Sequence, residues 1–442
     1  MTRRLIALFL LILPLTACAP AAPTPLPTPT LVPTPVPDVL YVDPDRDLGA
    51  ISPYVLGSNY GPMHAVPPDM LPWAFESGIT ALRFPGGAWG DSIDIQPFQI
   101  DQFMVFCEQM GAMPTISVRL LGGTPEAAAE LVRYTNIEKD YGVVYWSIGN
   151  EPTLYEEQTG EPYDTVRFNA EWRAIAEAML RVDPDIQLMG PELHQWGTDY
   201  ASTPKDSAGR DWMTEFLRAN GDLVDVVTVH RYPLWRPGGQ MVTIPEMRAN
   251  TQEWTDLVVY LRSLIWEITG RDLPIAFTEV NSSPTSVMMG EATPDSYYNA
   301  VWYADVLGQL LTQHVFMVNQ WVLSQRSTGL GLFYGSQIRP TYYTFRMYQH
   351  FGERLVYSSS GLPDLSIYAA RRADGALTLM VINLGDAPQT ARLQIAGLTP
   401  TQAEVWRLDR SHNAEYLGLQ SLPADGRLDL PEQSVTLYIL AP

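Results

Sequence analysis

Between residues 54 and 352 the chain repeats one pattern eight times: a short apolar run built like a buried strand, then a longer segment whose apolar residues recur at three- and four-residue intervals. The eight runs are "YVLGSNY", "ITALRFPGG", "MPTISVRLL", "VVYWSIGNEP", "IQLMGPEL", "VVTVHRYP", "PIAFTEV" and "VFMVNQWVL". Between them, segments such as "TPEAAAELVRYTNIEKDYG" and "YDTVRFNAEWRAIAEAMLRVDP" read as helices, with Thr and Asp placed to cap them. Eight strand–helix units in a row predict a closed parallel (β/α)8 barrel, a TIM barrel, over residues 54–352. An open doubly wound sheet is the competing architecture, but no glycine-rich phosphate loop follows the first strand.

The pattern changes at about residue 353. Runs such as "LTLMVINLG", "AEVWRLD" and "SVTLYIL", punctuated by Asp-Gly and Gly turns, predict a C-terminal antiparallel β-sandwich over residues 353–442. The segment 39–53, containing "VLYVDPD", is expected to add a strand to that sandwich.

In a parallel barrel the carboxyl ends of the strands carry the chemistry, so polar residues that close an apolar strand are the ones to weigh. The fourth strand closes on Asn150 and Glu151, locked by Pro152; the seventh closes on Thr278 and Glu279. Two glutamates on one rim suit glycosidic cleavage with retention, in which one carboxyl protonates the leaving oxygen and a second attacks the anomeric carbon. The second strand contributes Arg83 in "LRFPGG", a charge suited to keeping a carboxylate ionised. His230 and Tyr232, two apart in "HRYP", fall on one face of the sixth strand. His230 and the glutamates come without a His-x-x-x-His pair or an acidic cluster, so neither a metal nor a cofactor is expected.

"WSIGNEP" and "IAFTEV" resemble the acid/base and nucleophile motifs of the clan A retaining glycoside hydrolases, and the likeness extends over roughly residues 39–442. The resemblance implies Glu151 as acid/base, Glu279 as nucleophile and Asn150 as a partner of the sugar hydroxyl beside the anomeric centre. It implies Arg83 and Tyr232 as hydrogen-bond donors to the nucleophile, and His230 as a nearby residue able to touch sugar. Trp321 is implied as the subsite floor, with Asn59 and Tyr60 as first-strand subsite residues. "ISPYVLGSNY" and "LRFPGG" resemble the α-L-arabinofuranosidases, whereas "IGNEPTLY" and "TEVNSS" resemble heparanase-like β-glucuronidases and related β-glycosidases. A uronic acid substrate requires cations in the cleft, for which Arg231, Arg236 and Arg326 are the candidates. A carbohydrate-binding or scaffold protein without turnover is the alternative to a glycosidase.

Residues 1–18, "MTRRLIALFLLILPLTAC", have the basic start and short apolar run of an export signal. Their "LTAC" resembles a bacterial lipobox, which implies cleavage before Cys18, lipidation of Cys18 and an exported, membrane-anchored lipoprotein. Residues 19–38 hold eight prolines in twenty positions and read as an extended tether reaching roughly 60 Å. The remaining cysteine, Cys107, then has no partner for an intrachain disulfide. A net charge of −21 argues against nucleic acid and against electrostatic attraction to anionic lipid, leaving the anchor as the expected membrane contact.

Overall fold

The structure, a computed structural model, describes residues 35–236, 240–285 and 287–442. The export segment, Cys18 and the tether as far as residue 34 lie outside the described residues.

The eight barrel strands are Tyr54–Asn59, Ala81–Phe84, Met113–Val118, Tyr145–Ile148, Gln187–Leu193, Val226–Arg231, Ile275–Val280 and Met317–Gln320, each parallel to its neighbours and closed into one barrel. Strands covered on both sides cannot alternate polar and apolar residues, and "IAFTEV" is accordingly buried at all six positions. On the sixth strand Val227 and Val229 face the main apolar core, so Thr228 and His230 take the opposite, inward face. Met189, Val226, Ala276 and Met317, with Tyr54, Tyr145 and Phe316 packed on them, form a separate cluster. The helices between strands begin where the sequence supplies caps: Thr124 accepts from the amide of Ala127 at 3.1 Å and Asp164 from that of Arg167 at 3.0 Å. Caps of this kind are worth about 1 kcal/mol each.

The C-terminal strands form a nine-stranded, largely antiparallel sheet with its own core of Leu365, Ile367, Leu379, Val381, Val405 and their neighbours. Val39–Ala50 belongs to it, pairing antiparallel with Arg354–Ser360 and parallel with Gln389–Ile395. The helix Tyr297–Thr312 is buried almost all round because its two sides are both used, one by the barrel and one by the sandwich. At its contact with the sandwich a side chain on Gly308 would come within 2.2 Å of the Tyr368 ring, so only glycine permits the approach. Tyr298 donates to the carbonyl of Leu384 at 2.9 Å, and Tyr368 to Asp305 at 2.8 Å, across the same seam. Cys107 is a buried free thiol. Among the described residues no helix is long and apolar enough to cross a membrane.

Candidate active site

The fourth strand ends at Ile148, and the chain then enters a tight turn instead of extending the strand. Gly149 (φ 83°) turns the chain where a side chain would strike Leu120 at 2.8 Å. Glu151 itself sits in the left-handed region at φ 51°, which non-glycine residues rarely occupy, and Pro152 opens a short 3-10 helix behind it. Two contacts fix the turn: the amide of Asn150 donates to Asp91 at 2.7 Å, and that of Glu151 to the carbonyl of Glu192 at 3.0 Å. Asp91 is buried, takes a further amide from Leu120 at 2.9 Å, and accepts the hydroxyl of Tyr155.

Glu279 reaches the same place from the seventh strand. Between the sixth and seventh strands the register slips by one residue, from Val229 opposite Phe277 to His230 opposite Glu279. That irregularity, of the kind that re-aims side chains at barrel rims, sets the imidazole beside the carboxylate. A carboxylate oxygen of Glu151, a ring nitrogen of His230 and a carboxylate oxygen of Glu279 lie within 4.8 Å of one another. Glu279 accepts from Arg83 at 2.9 Å and from the Tyr232 hydroxyl at 2.6 Å. Arg83, 1% exposed, also donates to Asn150 at 2.9 Å and Asn59 at 3.1 Å and lies 3.5 Å from Glu192.

His230 is fully buried and bridges three acids: Nδ1 lies 2.9 Å from Glu151 and 3.5 Å from Glu279, and Nε2 lies 3.0 Å from Glu192. Burial opposes its charge, yet Glu279, Glu151 and Glu192 outweigh that and raise its pKa to about 9. Glu192 has no exposed surface; burial disfavours its charge, but Arg83, His230 and the Thr278 hydroxyl at 2.5 Å bring its pKa down to about 2. Burial also works against ionised Glu151, and the His230 hydrogen bond and charge overcome it, holding this carboxyl below the ordinary glutamate value. Glu279 is pushed above that value by burial and by the charge of Glu151, with His230 and Arg83 opposing. Two carboxyls this close titrate as a pair.

Trp321, just past the eighth strand, is half-buried at the mouth. Its ring is seated against the Pro85-Gly86-Gly87 turn, where a side chain on Gly87 (φ 72°) would meet it at 2.5 Å, and against His64 in an edge contact 5.1 Å between centroids.

Several expectations need correction. His230 is not placed to touch sugar, because it is fully buried and its ring nitrogens are taken up by the half-buried Glu151 and the buried Glu192. Asn59 is not a free subsite residue either: it is fully buried, donating to the carbonyl of Thr278 at 2.9 Å and accepting from Arg83. Tyr60 stacks on Phe106, 4.6 Å between centroids. Arg231 is held by Glu253 at 2.7 Å and by the carbonyl of Trp196, and Arg236 by Glu246 at 3.2 Å; Arg326 is exposed. Glu151 is expected to keep its proton and Glu279 to be ionised; the contact with His230 instead favours ionised Glu151, while burial and the charge of Glu151 push Glu279 upward. The cluster of Glu151, His230 and Glu279 is compact enough to surround a cation, but Arg83 and the imidazole already supply positive charge there. Glu192, Asp91 and His64 went unnoticed in the sequence. Glu192 carried a readable signal: in "MGPEL" it closes an apolar strand as Glu151 and Glu279 do. Asp91 sits in the one-turn helix Trp89–Ser92 and His64 in the 3-10 helix Pro62–His64, elements too short for periodicity to mark them.

The comparisons with known proteins agree with this architecture. Residues 363–431 match the model for the C-terminal immunoglobulin-like domain of D-apionate lactonase. Among curated proteins the chain is similar to an intracellular exo-α-(1→5)-L-arabinofuranosidase of Streptomyces lividans, 25% identical over 43% of this chain and 36% of that protein. It is similar also to endoglucanase A of Paenibacillus lautus, 25% identical over 63% of this chain and 45% of that protein. The chain thus spans under half the length of these relatives. Its fold is shared with the α-L-arabinofuranosidase of Thermotoga maritima (TM-score 0.72, 19% identity, 91% of this chain and 99% of that one). It is shared too with CelM2, a bifunctional glucanase-xylanase from a metagenome library (TM-score 0.71, 19% identity, 92% and 99%). The glycoside hydrolase resemblance read from the motifs is repeated by these curated relatives, and the barrel-and-sandwich fold by the solved structures.

Proposed function

We propose that this protein is a retaining glycoside hydrolase that cleaves O-glycosidic bonds of oligo- or polysaccharides, with Glu279 as nucleophile and Glu151 as acid/base. The observation that carries the reading is the approach of the two carboxylates, oxygen to oxygen within 4.8 Å. Retaining enzymes hold their carboxyl groups about 5–5.5 Å apart, whereas inverting enzymes leave about 6.5–9.5 Å for a water.

In the first half-reaction an oxygen of Glu279 bonds to the anomeric carbon as the bond to the leaving oxygen breaks, and Glu151 gives that oxygen its proton. In the second, Glu151 takes a proton from water, the water oxygen bonds to the anomeric carbon, and the ester to Glu279 breaks. Arg83 and Tyr232 aim Glu279 and favour its ionised form as positive charge grows on the sugar. With its oxygen held by Arg83, the Asn150 side chain is left with its NH2 to donate to a sugar hydroxyl. Trp321 supplies an apolar face against which a sugar ring stacks. Arg231 and Arg236 are already paired, so of the three candidate cations the exposed Arg326 alone is left to meet a uronate, and a neutral glycan is the substrate we favour. Export and anchoring through lipidated Cys18 form part of the proposal, supported by "LTAC" and the proline-rich segment; partition of a Cys18→Ser variant out of the detergent phase tests it.

The test is a panel of 2-fluoro glycosides of arabinose, xylose, glucose, galactose and glucuronate, followed by peptide mapping. One neutral sugar is expected on the peptide carrying Glu279, together with loss of aryl-glycoside release in Glu279→Gln. Equal release by wild type and Glu279→Gln would defeat the proposal and favour a binding protein without turnover.

A further inference from the structure

Beneath the two proposed reacting carboxylates lies a third, Glu192, that the reaction does not touch. It is fully buried, its backbone is in the left-handed region at φ 57°, and one oxygen takes both the Nε2 side of His230 (3.0 Å) and the Thr278 hydroxyl (2.5 Å). An acid kept ionised inside a barrel, at the cost of desolvation, needs a function that packing does not supply.

We propose that Glu192 is a positioning residue for proton transfer: together with Glu151 it holds His230 as the imidazolium, Nε2–H donating to Glu192 and Nδ1–H to Glu151, and so stabilises the Glu151 carboxylate each time its proton has left. The inference rests on the glycosidase reading above. The groups that face His230 are Glu151 after the fourth strand, Glu192 from the fifth and Glu279 from the seventh; Arg83 from the second strand and Tyr232, just past the sixth, contact these acids, and His194 is nearby, its ring 2.6 Å from the Thr153 hydroxyl. Counting formal charges, Arg83 and the imidazolium stand against three glutamates. One negative charge is left over, and one proton neutralises it. That surplus proton belongs to the Glu151–Glu279 pair as a whole; the reaction consumes it through Glu151 when the leaving oxygen departs and regains it from water. Remove the Glu192 charge, and the array is neutral without any acid proton; every proton in it is then held less firmly, because a nearby anion favours protonated forms.

The same geometry explains why Glu151 can alternate between acid and base. As an acid it loses its proton while Nδ1–H of His230, 2.9 Å away, remains to pair with the new carboxylate. No proton has to leave His230, so the imidazole is the same at the start and end of each half-reaction.

The test has two arms on the full chain. In 15N-edited NMR of the imidazoles, His230 of the wild type should carry protons on both nitrogens at pH 7.5, and in Glu192→Gln it should titrate at a pH lower by about one unit or more. In kinetics, the basic limb of kcat/KM should move down by about the same amount in Glu192→Gln, with a larger loss on poor leaving groups than on good ones. Glu192→Asp, which keeps the charge, should return the limb towards its wild-type position. A neutral His230 in the wild type at pH 7.5, which requires no variant to fold, would overturn the proposal; so would an unchanged His230 titration in Glu192→Gln. A uniform loss of activity across pH would mark Glu192 as merely structural and also overturn it. Imidazole titration as expected, in a wild type that cleaves no glycoside, would instead refute the glycosidase reading and with it the proton-transfer role.

Discussion

Replacing Arg83 by Met removes the one guanidinium that touches Glu279, Asn150 and Asn59 and neighbours Glu192, while keeping most of the apolar stem. At pH 7 the variant must hold Glu151, Glu192 and Glu279 together with His230 as their only close cation among the described residues. Breaking a buried pair by deleting one partner costs about 3–5 kcal/mol, and that is the destabilisation expected here. The penalty should depend on pH in a definite direction. In the wild type Glu192 has a pKa of about 2, so its stabilising contribution is complete above the unfolded glutamate value of about 4.3 and is lost only as pH falls through about 2. Without Arg83 the folded-state values of Glu192 and Glu279 rise, and once above the unfolded value they make stability fall as pH rises. The difference between wild type and variant should therefore be larger at pH 8 than at pH 5. Urea denaturation at both values measures it. A penalty below about 1 kcal/mol, or one that is the same at the two pH values, would refute the claim that Arg83 is the electrostatic keystone of the site. In kinetics the acidic limb should move up by about 1–3 units, because losing a neighbouring cation raises the pKa of the nucleophile.

Other substitutions probe single parts of the site. Glu151→Ala should slow hydrolysis of poor leaving groups far more than that of 2,4-dinitrophenyl glycosides, which need little protonation; equal losses on both would remove Glu151 from the acid role. Gly87→Ala should raise KM about tenfold or more by pushing Trp321 from its seat, with much less effect on the melting temperature, and KM unchanged in this variant would show that Trp321 does not form the sugar platform. Wild-type stability should decline as pH rises from about 6.5 to 9: His230, with a folded value of about 9, contributes fully below its unfolded value of about 6.5 and loses that contribution above it, about 3 kcal/mol in all. A His230→Asn variant whose denaturation midpoint falls equally steeply over that range would contradict this.

The sequence by itself determined the architecture. Eight apolar runs separated by helical periodicity leave few arrangements other than a closed parallel barrel, since each strand must be buried on both faces and each helix on one. It also pointed to Glu151, Glu279, Arg83 and Tyr232, because a polar residue ending a buried strand stands out against its apolar neighbours. What the chain order could not reveal was which of these groups reach the surface and which are sealed beneath it. His230 and Asn59 lie on strand ends as Glu279 does, but depth in the barrel turns them into internal partners of Glu151, Glu192 and Arg83. The direction of the proton affinities likewise follows from distances among five charged side chains contributed by five different strands. Electrostatic energy depends on separation and solvent exposure rather than on order along the chain, so only the closed barrel decides it.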